Sequence, residues 1–217
     1  SNGELTAEEK VDGQNLFLSY SIPEGKAKGA RNKGNLKAGG LDANELAQKF
    51  AGRGGLTEAF TGGFSTFEKA VESLSDEEKQ RIFGPDTNIW YNAEIMDPGT
   101  EDDPNDPGSV NVIKYDNKTL KIHDVGHFSY NRETGDLEPI PEGSLETLDN
   151  AYERMQNSLH GHDFSLARRA AVQLRKLENK EVLNDSISRI DSAIASEGLN
   201  DNSTVQDYLY SRLLNGI

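Results

Sequence analysis

The chain lacks cysteine altogether, and this absence excludes disulfide bonds, zinc–thiolate sites and catalysis by a thiol. It also lacks any apolar run approaching the roughly 20 residues that a membrane-spanning helix needs. No signal peptide is recognisable at its start. We therefore expect an intracellular or virion protein that makes no contact with a membrane.

Positive charge is also scarce. The 217 residues include 23 Lys and Arg against 37 Asp and Glu, which gives a net charge of −14. Proteins that grip nucleic-acid backbones usually present a basic surface, because neutralising phosphates supplies much of the affinity. Any nucleic-acid contact would therefore need a local basic patch, and a solvated loop is the alternative for such a run. The best candidate patch comprises Lys26, Lys28, Arg31, Lys33 and Lys37.

The hydropathy pattern predicts an α+β protein with a mixed, mostly antiparallel sheet. Residues 4–33, 87–96 and 110–128 contain short runs of strand-forming residues bounded by turn residues. Residues 42–83 instead place apolar side chains at three- and four-residue spacing, which predicts a helical insertion.

Local start signals support the helices. Asp42 with Glu45, and Ser75 with Glu78, have the spacing of capping boxes. The glycines of residues 52–55 would separate two helices, and a phosphate cradle is the alternative for them. The later part of the chain predicts helices over roughly 145–159, 163–178, 181–197 and 203–214. We therefore divide the chain into a sheet-bearing region, 1–140, and a helical C-terminal region, 141–217.

The most informative stretch is Lys10-Val11-Asp12-Gly13, which reads K-x-D-G. It combines an ionisable nucleophile, a carboxylate two residues on and a glycine that lets the backbone turn tightly. A strand is predicted before it and an apolar run follows it. An enzyme would place a lysine at such a junction to attack a phosphate, and a β-turn lysine in water is the alternative.

Covalent nucleotidyl transfer makes further demands on a site. A lysine amine must be neutral to attack the α-phosphate of a nucleoside triphosphate. The phosphate oxygens gain charge in the transition state, so basic side chains and a divalent ion are needed, and ribose and metal need carboxylates. Arg31 could supply the guanidinium and Glu94 the acid. Glu94 lies in an otherwise apolar strand, an unfavourable placement unless it is paired or functional; a carboxylate on an open sheet face is the alternative.

These residues resemble the motifs of a known enzyme family. Lys10-Val11-Asp12-Gly13 resembles motif I of the covalent nucleotidyltransferases, which comprise ATP-dependent DNA ligases, RNA ligases and capping enzymes. Arg31-Asn32 is similar to their motif Ia, and Glu94 is similar to the acid of motif III. Residues 119–125 resemble motif IIIa, where an aromatic residue usually stacks on the nucleobase; His123 holds that place here.

The resemblance implies a ligase-like nucleotidyltransferase sheet that uses ATP and Mg²⁺. Lys10 would be the nucleophile and Glu94 would also hold the metal. The implied nucleotide-binding residues are Asp12, Gly13, Arg31, Glu94 and His123. Residues 30–37 and 49–56 additionally look like an uncharacterised group of tailed-bacteriophage proteins that share the K-x-D-G start. This implies a phage-encoded protein of the host cytoplasm or the virion.

Two motifs of the family have no match in the chain. Motif IV requires Glu-Gly followed by apolar residues and a base, but Glu142-Gly143 and Glu197-Gly198 are followed by acids. Motif V requires K-x-K, which does not occur after residue 128.

These missing motifs have two explanations. Either the chain is a piece of a longer protein, which the missing initial methionine favours, or the fold has lost its activity. A degenerate, ligase-like virion or scaffold protein that binds partners through its helical C-terminal region is therefore the second hypothesis. An acidic interaction module with an accidental K-x-D-G is the third.

Overall fold

The structure is a computed structural model, and it describes residues 5–7, 13–98, 116–168, 172–174, 180–196, 200 and 203–204. The chain divides into two compact units. The larger unit runs from Ala7 to Val172, and the smaller one comprises Ser1–Thr6 and Gln173–Ile217. The larger unit therefore extends past residue 141, where the helical C-terminal region was predicted to begin.

A twisted open sheet forms the centre of the larger unit. Its strands follow the order β3-β2-β4-β5-β8, and every neighbouring pair is antiparallel except β5 and β8, which run parallel. The strands are β2 (Gln14–Ser21), β3 (Lys26–Ala30), β4 (Ile89–Met96), β5 (Thr119–Ile122) and β8 (Ser165–Arg168). The predicted mixed α+β fold with a mostly antiparallel sheet is confirmed at this level.

Two short strands extend the sheet beside the first half of β4. They are β6 (Phe128–Tyr130), which pairs with β4 at Ile89 and Trp90, and β7 (Leu137–Glu138), which pairs with β6. The second half of β4 pairs instead with β5. The loop between β5 and β6 therefore lies next to the middle of β4.

Helices cover one face of the sheet and bury the main core against it. The larger unit contains α1 (Lys33–Lys37), α2 (Ala43–Phe50), α3 (Gly55–Val71), α4 (Asp76–Phe83) and α5 (Ser144–Ser158). In α3, Phe60, Phe64 and Phe67 are buried, as their helical spacing predicts. A Cβ atom on Gly63 would lie 2.8 Å from Cγ1 of Ile95, so a glycine is needed where α3 contacts β4 this closely.

Both predicted capping boxes are present. The side chain of Asp42 accepts from the backbone N–H of Glu45, and Ser75 does the same for Glu78. In each case the glutamate side chain accepts in return from the backbone N–H of the capping residue. These local contacts fix the starts of α2 and α4.

The prediction of a helix over residues 163–178 is wrong in the described part of that range. Residues 165–168 form β8, and Val172–Leu174 form a further strand, β9. The alanine, leucine and arginine of this segment favour a helix in isolation. Pairing with β5 buries Leu166 in the core instead, so the tertiary contact outweighs the local preference.

Other elements lie outside the sheet. Strand β1 (Leu5–Ala7) pairs with β9 in a two-stranded sheet, and α6 (Lys180–Ser196) confirms the predicted helix over 181–197. The predicted strand at 110–115 and most of the predicted helix at 203–214 lie outside the described residues. Among the residues described, no helix is both long and apolar enough to cross a bilayer.

Candidate functional site

The sheet has two faces of different character, because side chains alternate along each strand. In β4, Tyr91, Ala93 and Ile95 point to the helical layer and belong to the main core. The intervening residues Asn92 and Glu94 therefore lie on the opposite face. We call the part of this opposite face that surrounds Glu94 the polar face.

Glu94 is the central side chain of the polar face. Its strand neighbours are Asn15 on β2 and Lys121 on β5. The side chain is 16% exposed, and its Oε1 lies 3.6 Å from Nε2 of His123. Its Oε2 is buried and has no hydrogen-bond partner among the described residues. Burying a carboxylate oxygen without a hydrogen-bond partner costs free energy. Glu94 is therefore a candidate ligand-binding residue.

Gly13 lies directly against this carboxylate. A Cβ atom there would lie 2.9 Å from Oε2 of Glu94 and 2.8 Å from the carbonyl oxygen of Ile95. The second of these atoms belongs to the backbone and cannot move aside easily. Any side chain at position 13 would therefore displace β4 or the carboxylate, so the glycine is required by close approach rather than by turn geometry.

The structure thus brings together three of the predicted nucleotide-binding residues: Gly13, Glu94 and His123. Lys10 and Asp12 lie outside the described residues. Gly13 is the last residue of the K-V-D-G stretch, so the described end of that motif meets the predicted motif III acid.

Arg31 lies elsewhere. Its guanidinium carbon is 4.8 Å from the centre of the Phe60 ring and 5.8 Å from that of Phe50. Both rings belong to the helical layer, on the side of the sheet opposite to Glu94. Glu94 and Arg31 therefore do not form one site in this arrangement.

The cations of the predicted basic patch have different partners. The ammonium group of Lys26 pairs with Asp42 at 3.4 Å, and that of Lys28 pairs with Glu24 at 2.5 Å. Acids thus offset two of its five cations. Arg31 remains the member whose side chain contacts aromatic rings instead.

A row of amides and imidazoles continues the polar face beyond Glu94. Asn15 donates through Nδ2 to Oδ1 of Asn92 at 2.6 Å, and Asn92 donates through its backbone N–H to Nδ1 of His127 at 3.0 Å. Asn92 also donates through Nδ2 to the carbonyl oxygen of Val125 at 3.1 Å. These contacts hold the β5–β6 loop against β4, and sequence reasoning did not single out Asn15, Asn92 or His127 for this role.

His127 is held neutral. Burial, followed by the positive charge of Arg168, lowers its pKa to about 4. Its Nδ1 is used as an acceptor, and its Nε2 is buried without a hydrogen-bond partner among the described residues. The ring lies 5.0 Å from that of Tyr91, measured between centres. The imidazole therefore carries its N–H on the buried Nε2, an assignment made from this bonding pattern.

Arg168 holds the loop from the other side. It donates through Nη1 to the carbonyl oxygen of His123 at 2.7 Å and through Nη2 to Asp124 at 2.9 Å. Its Nε also pairs with Asp149 on α5. The side chain is only 6% exposed. The sequence did not point to this residue, because its segment has the composition of a helix.

The described residues contain no group of three or more His, Asp or Glu side chains arranged to hold a metal ion. Glu94 offers a buried carboxylate oxygen that has no hydrogen-bond partner among the described residues. Such an oxygen suits Mg²⁺, which proteins commonly bind through one or two carboxylates together with substrate phosphates and water.

No protein-family model, curated protein or solved structure matches this chain. The residues of the site are therefore the evidence for its function.

Proposed function

We propose that the polar face binds a nucleoside triphosphate and that the protein is a phage-encoded, ATP-dependent nucleotidyltransferase of the nucleic-acid ligase type. One observation carries the proposal: Oε2 of Glu94 is buried, unpartnered among the described residues, and adjacent to Gly13. Gly13 is the end of the K-x-D-G stretch, and Glu94 lies far along the chain in strand β4. The resemblance to nucleotidyltransferases requires that motif I and the acid of motif III lie together in this way.

In the proposed reaction, the neutral amine of Lys10 attacks the α-phosphorus of ATP. A P–N bond forms, the bond from the α-phosphorus to the bridging oxygen breaks, pyrophosphate leaves and the amine loses a proton. The product is a lysyl-adenylate that can pass its nucleotide to an acceptor. Mg²⁺ would supply charge stabilisation of the phosphates, with Glu94 as its carboxylate ligand or as a ribose contact.

The remaining polar groups would position the nucleotide. His123 is 8% exposed and lies beside Glu94, where its planar ring could form one wall of a nucleobase site. Asn92 and His127 would fix the loop that carries this ring. Host cytoplasm or virion is the proposed location.

Covalent labelling tests the proposal. The protein is incubated with Mg²⁺ and ATP labelled at the α-phosphate, denatured, and analysed for retained label. We expect acid-labile label from α-labelled ATP and none from γ-labelled ATP. Lys10→Ala should abolish it, whereas Lys69→Ala, at an exposed lysine on α3, should not.

Absence of label with both ATP and GTP, from this chain and from any longer natural form of it, would contradict the proposal. Nucleotide binding without label, lost in Glu94→Gln, would instead indicate a binding site that does not transfer.

A second candidate is a catalytically degenerate ligase-like virion or scaffold protein. The observation in its favour comes from the sequence: the Glu-Gly pairs at 142–143 and 197–198 are followed by acids, and no K-x-K occurs after residue 128. Labelling separates the two candidates, because a scaffold would retain no nucleotide.

A further inference from the structure

Two arginines converge on a pair of stacked rings in the larger unit. Phe50 at the end of α2 and Phe60 in α3 lie parallel, with centres 4.1 Å apart and planes at 8°. The guanidinium carbon of Arg31 is 4.8 Å from the centre of Phe60, and that of Arg53 is 5.6 Å from the centre of Phe50. The rings thus anchor two cations that come from different loops.

A third cation joins them through one amide. Oδ1 of Asn35 accepts from the backbone N–H of Arg31 at 3.1 Å and from Nζ of Lys49 at 3.4 Å. Lys49 lies one residue before Phe50. We call Arg31, Lys49 and Arg53 the cation cluster.

The cation cluster is not balanced by acids. Within the described residues, no carboxylate lies at ion-pair distance from any of its three members. The chain as a whole has a net charge of −14, and two neighbouring cations do have acidic partners: Lys26 pairs with Asp42, and Lys28 with Glu24. Partial burial against the rings, followed by the positive charge of Arg53, lowers the pKa of Arg31. The charges of Arg31 and Arg53 therefore repel each other, and an anion would relieve that repulsion.

We propose that Arg31, Lys49 and Arg53 form a binding site for a phosphate group, separate from the polar face that contains Glu94. A guanidinium is planar and donates two parallel hydrogen bonds to a phosphate, and its stacking on a ring leaves those donors at the edge free. A tetrahedral phosphate can accept from three cations at once. The N-terminus of the 17-residue helix α3, which follows Arg53 closely, adds partial positive charge.

This site does not depend on the proposed nucleotidyl transfer. The phosphate could be inorganic or carried by a small molecule, or it could be a phosphodiester of a nucleic-acid strand. The recognised group is a phosphate in each case. Titrations with inorganic phosphate and with a nucleic-acid strand distinguish these sources.

Titration of the full chain with inorganic phosphate gives the first test. Isothermal calorimetry reports affinity, and the side-chain Nε–H resonances of the arginines report location. We expect saturable binding with shifts at Arg31 and Arg53. Arg53→Gln should weaken it about tenfold, because a charge-assisted hydrogen bond contributes on that scale. Arg81→Gln, at an exposed arginine on α4, removes the same charge elsewhere and should change affinity less than about twofold.

Arg31→Lys keeps the charge but loses the planar fork, so it should also weaken binding. Circular dichroism and thermal melting of each variant show whether the fold is retained, and the resonance shifts of the unmodified protein are independent of any variant. Lack of saturable phosphate binding, or an equal loss in Arg81→Gln, would overturn the proposal.

A second titration identifies the source. A fluorescein-labelled 12-nucleotide single strand is compared with its neutral methylphosphonate analogue, with inorganic phosphate and a polyglutamate peptide as competitors. Binding of the natural strand alone, lost in Arg53→Gln, supports a phosphodiester; phosphate binding without strand binding supports a free or small-molecule phosphate. Stronger displacement of phosphate by polyglutamate than by the strand would overturn phosphate as the ligand, since carboxylates would then be preferred.

Discussion

The guanidinium of Arg168 donates a 2.7 Å hydrogen bond to the carbonyl oxygen of His123, and so ties strand β8 to the residue that flanks Glu94. The same side chain also engages Asp124 and Asp149. One buried cation thus joins a strand, a loop and helix α5. Because the loop carries His123 and His127, the geometry of the polar face depends on a residue that is not part of it.

Arg168→Gln should therefore destabilise the fold strongly. Removing one partner of a buried ionic network leaves the other charges uncompensated, and the expected loss is about 3 kcal/mol in the free energy of unfolding. Urea denaturation at neutral pH measures it. Arg154→Gln is the matched control, because the Arg154 side chain in its pair with Glu78 is 53% exposed and should contribute less than about 1 kcal/mol. If Arg168→Gln loses no more stability than Arg154→Gln, the Arg168 network does not stabilise the fold.

Gly13→Ala should disturb the polar face by a different route. The added methyl would meet the carbonyl oxygen of Ile95 at 2.8 Å and Oε2 of Glu94 at 2.9 Å, so the strand or the carboxylate must shift. We expect a loss of roughly 1–3 kcal/mol in stability and loss of nucleotide binding, measured by calorimetry.

Gly52→Ala serves as the comparison for this substitution. A Cβ at Gly52 meets no atom within 4 Å, and its φ of +79° causes only backbone strain. It should cost about 1 kcal/mol and leave nucleotide binding intact. Normal nucleotide binding by Gly13→Ala would contradict the placement of the site.

Local signals predicted part of this arrangement well. The capping pairs at Asp42 and Ser75 were readable because each involves residues three positions apart. The acid Glu94 was singled out because it interrupts an apolar strand. β8 was missed, since its residues favour a helix and only the distant β5 makes them a strand. Arg168 was missed with it.

The polar row shows the same limit. Asn92 and His127 are 35 positions apart, and their hydrogen bond depends on the path of the β5–β6 loop. No spacing rule in the sequence connects them. The opposite placement of Arg31 and Glu94 could not be foreseen either, because it depends on which face of the sheet the chain leaves after β3.

His127 should make stability depend on pH. Its pKa in the folded protein, about 4, lies below the ordinary value of 6.5, so the unfolded chain takes up a proton first as the pH falls. The stabilisation is complete above pH 6.5 and is lost progressively between pH 6.5 and 4. The loss could reach roughly 3 kcal/mol.

Urea denaturation at intervals across that range measures the slope. His127→Gln, which has an amide oxygen to replace Nδ1 as acceptor, should flatten it. An unchanged slope in the variant would assign the pH dependence in this range to groups other than His127. The capping carboxylates of Asp42 and Glu78, whose pKa values are lowered, lose their contribution at lower pH.

Glu94→Gln should separate stability from function. The amide keeps the shape of the side chain but removes the charge from a carboxylate whose Oε2 is buried and unpartnered among the described residues. Relief of that desolvation should leave the free energy of unfolding unchanged or raise it by about 0.5–1 kcal/mol. Mg²⁺-dependent nucleotide binding should fall at least about tenfold, because a carboxylate ligand or ribose acceptor is lost.

Glu72→Gln, at an exposed carboxylate directly after α3, should change neither property. If Glu94 were only a structural residue, stability and binding would fall together, and that result would remove the argument for a site on this face.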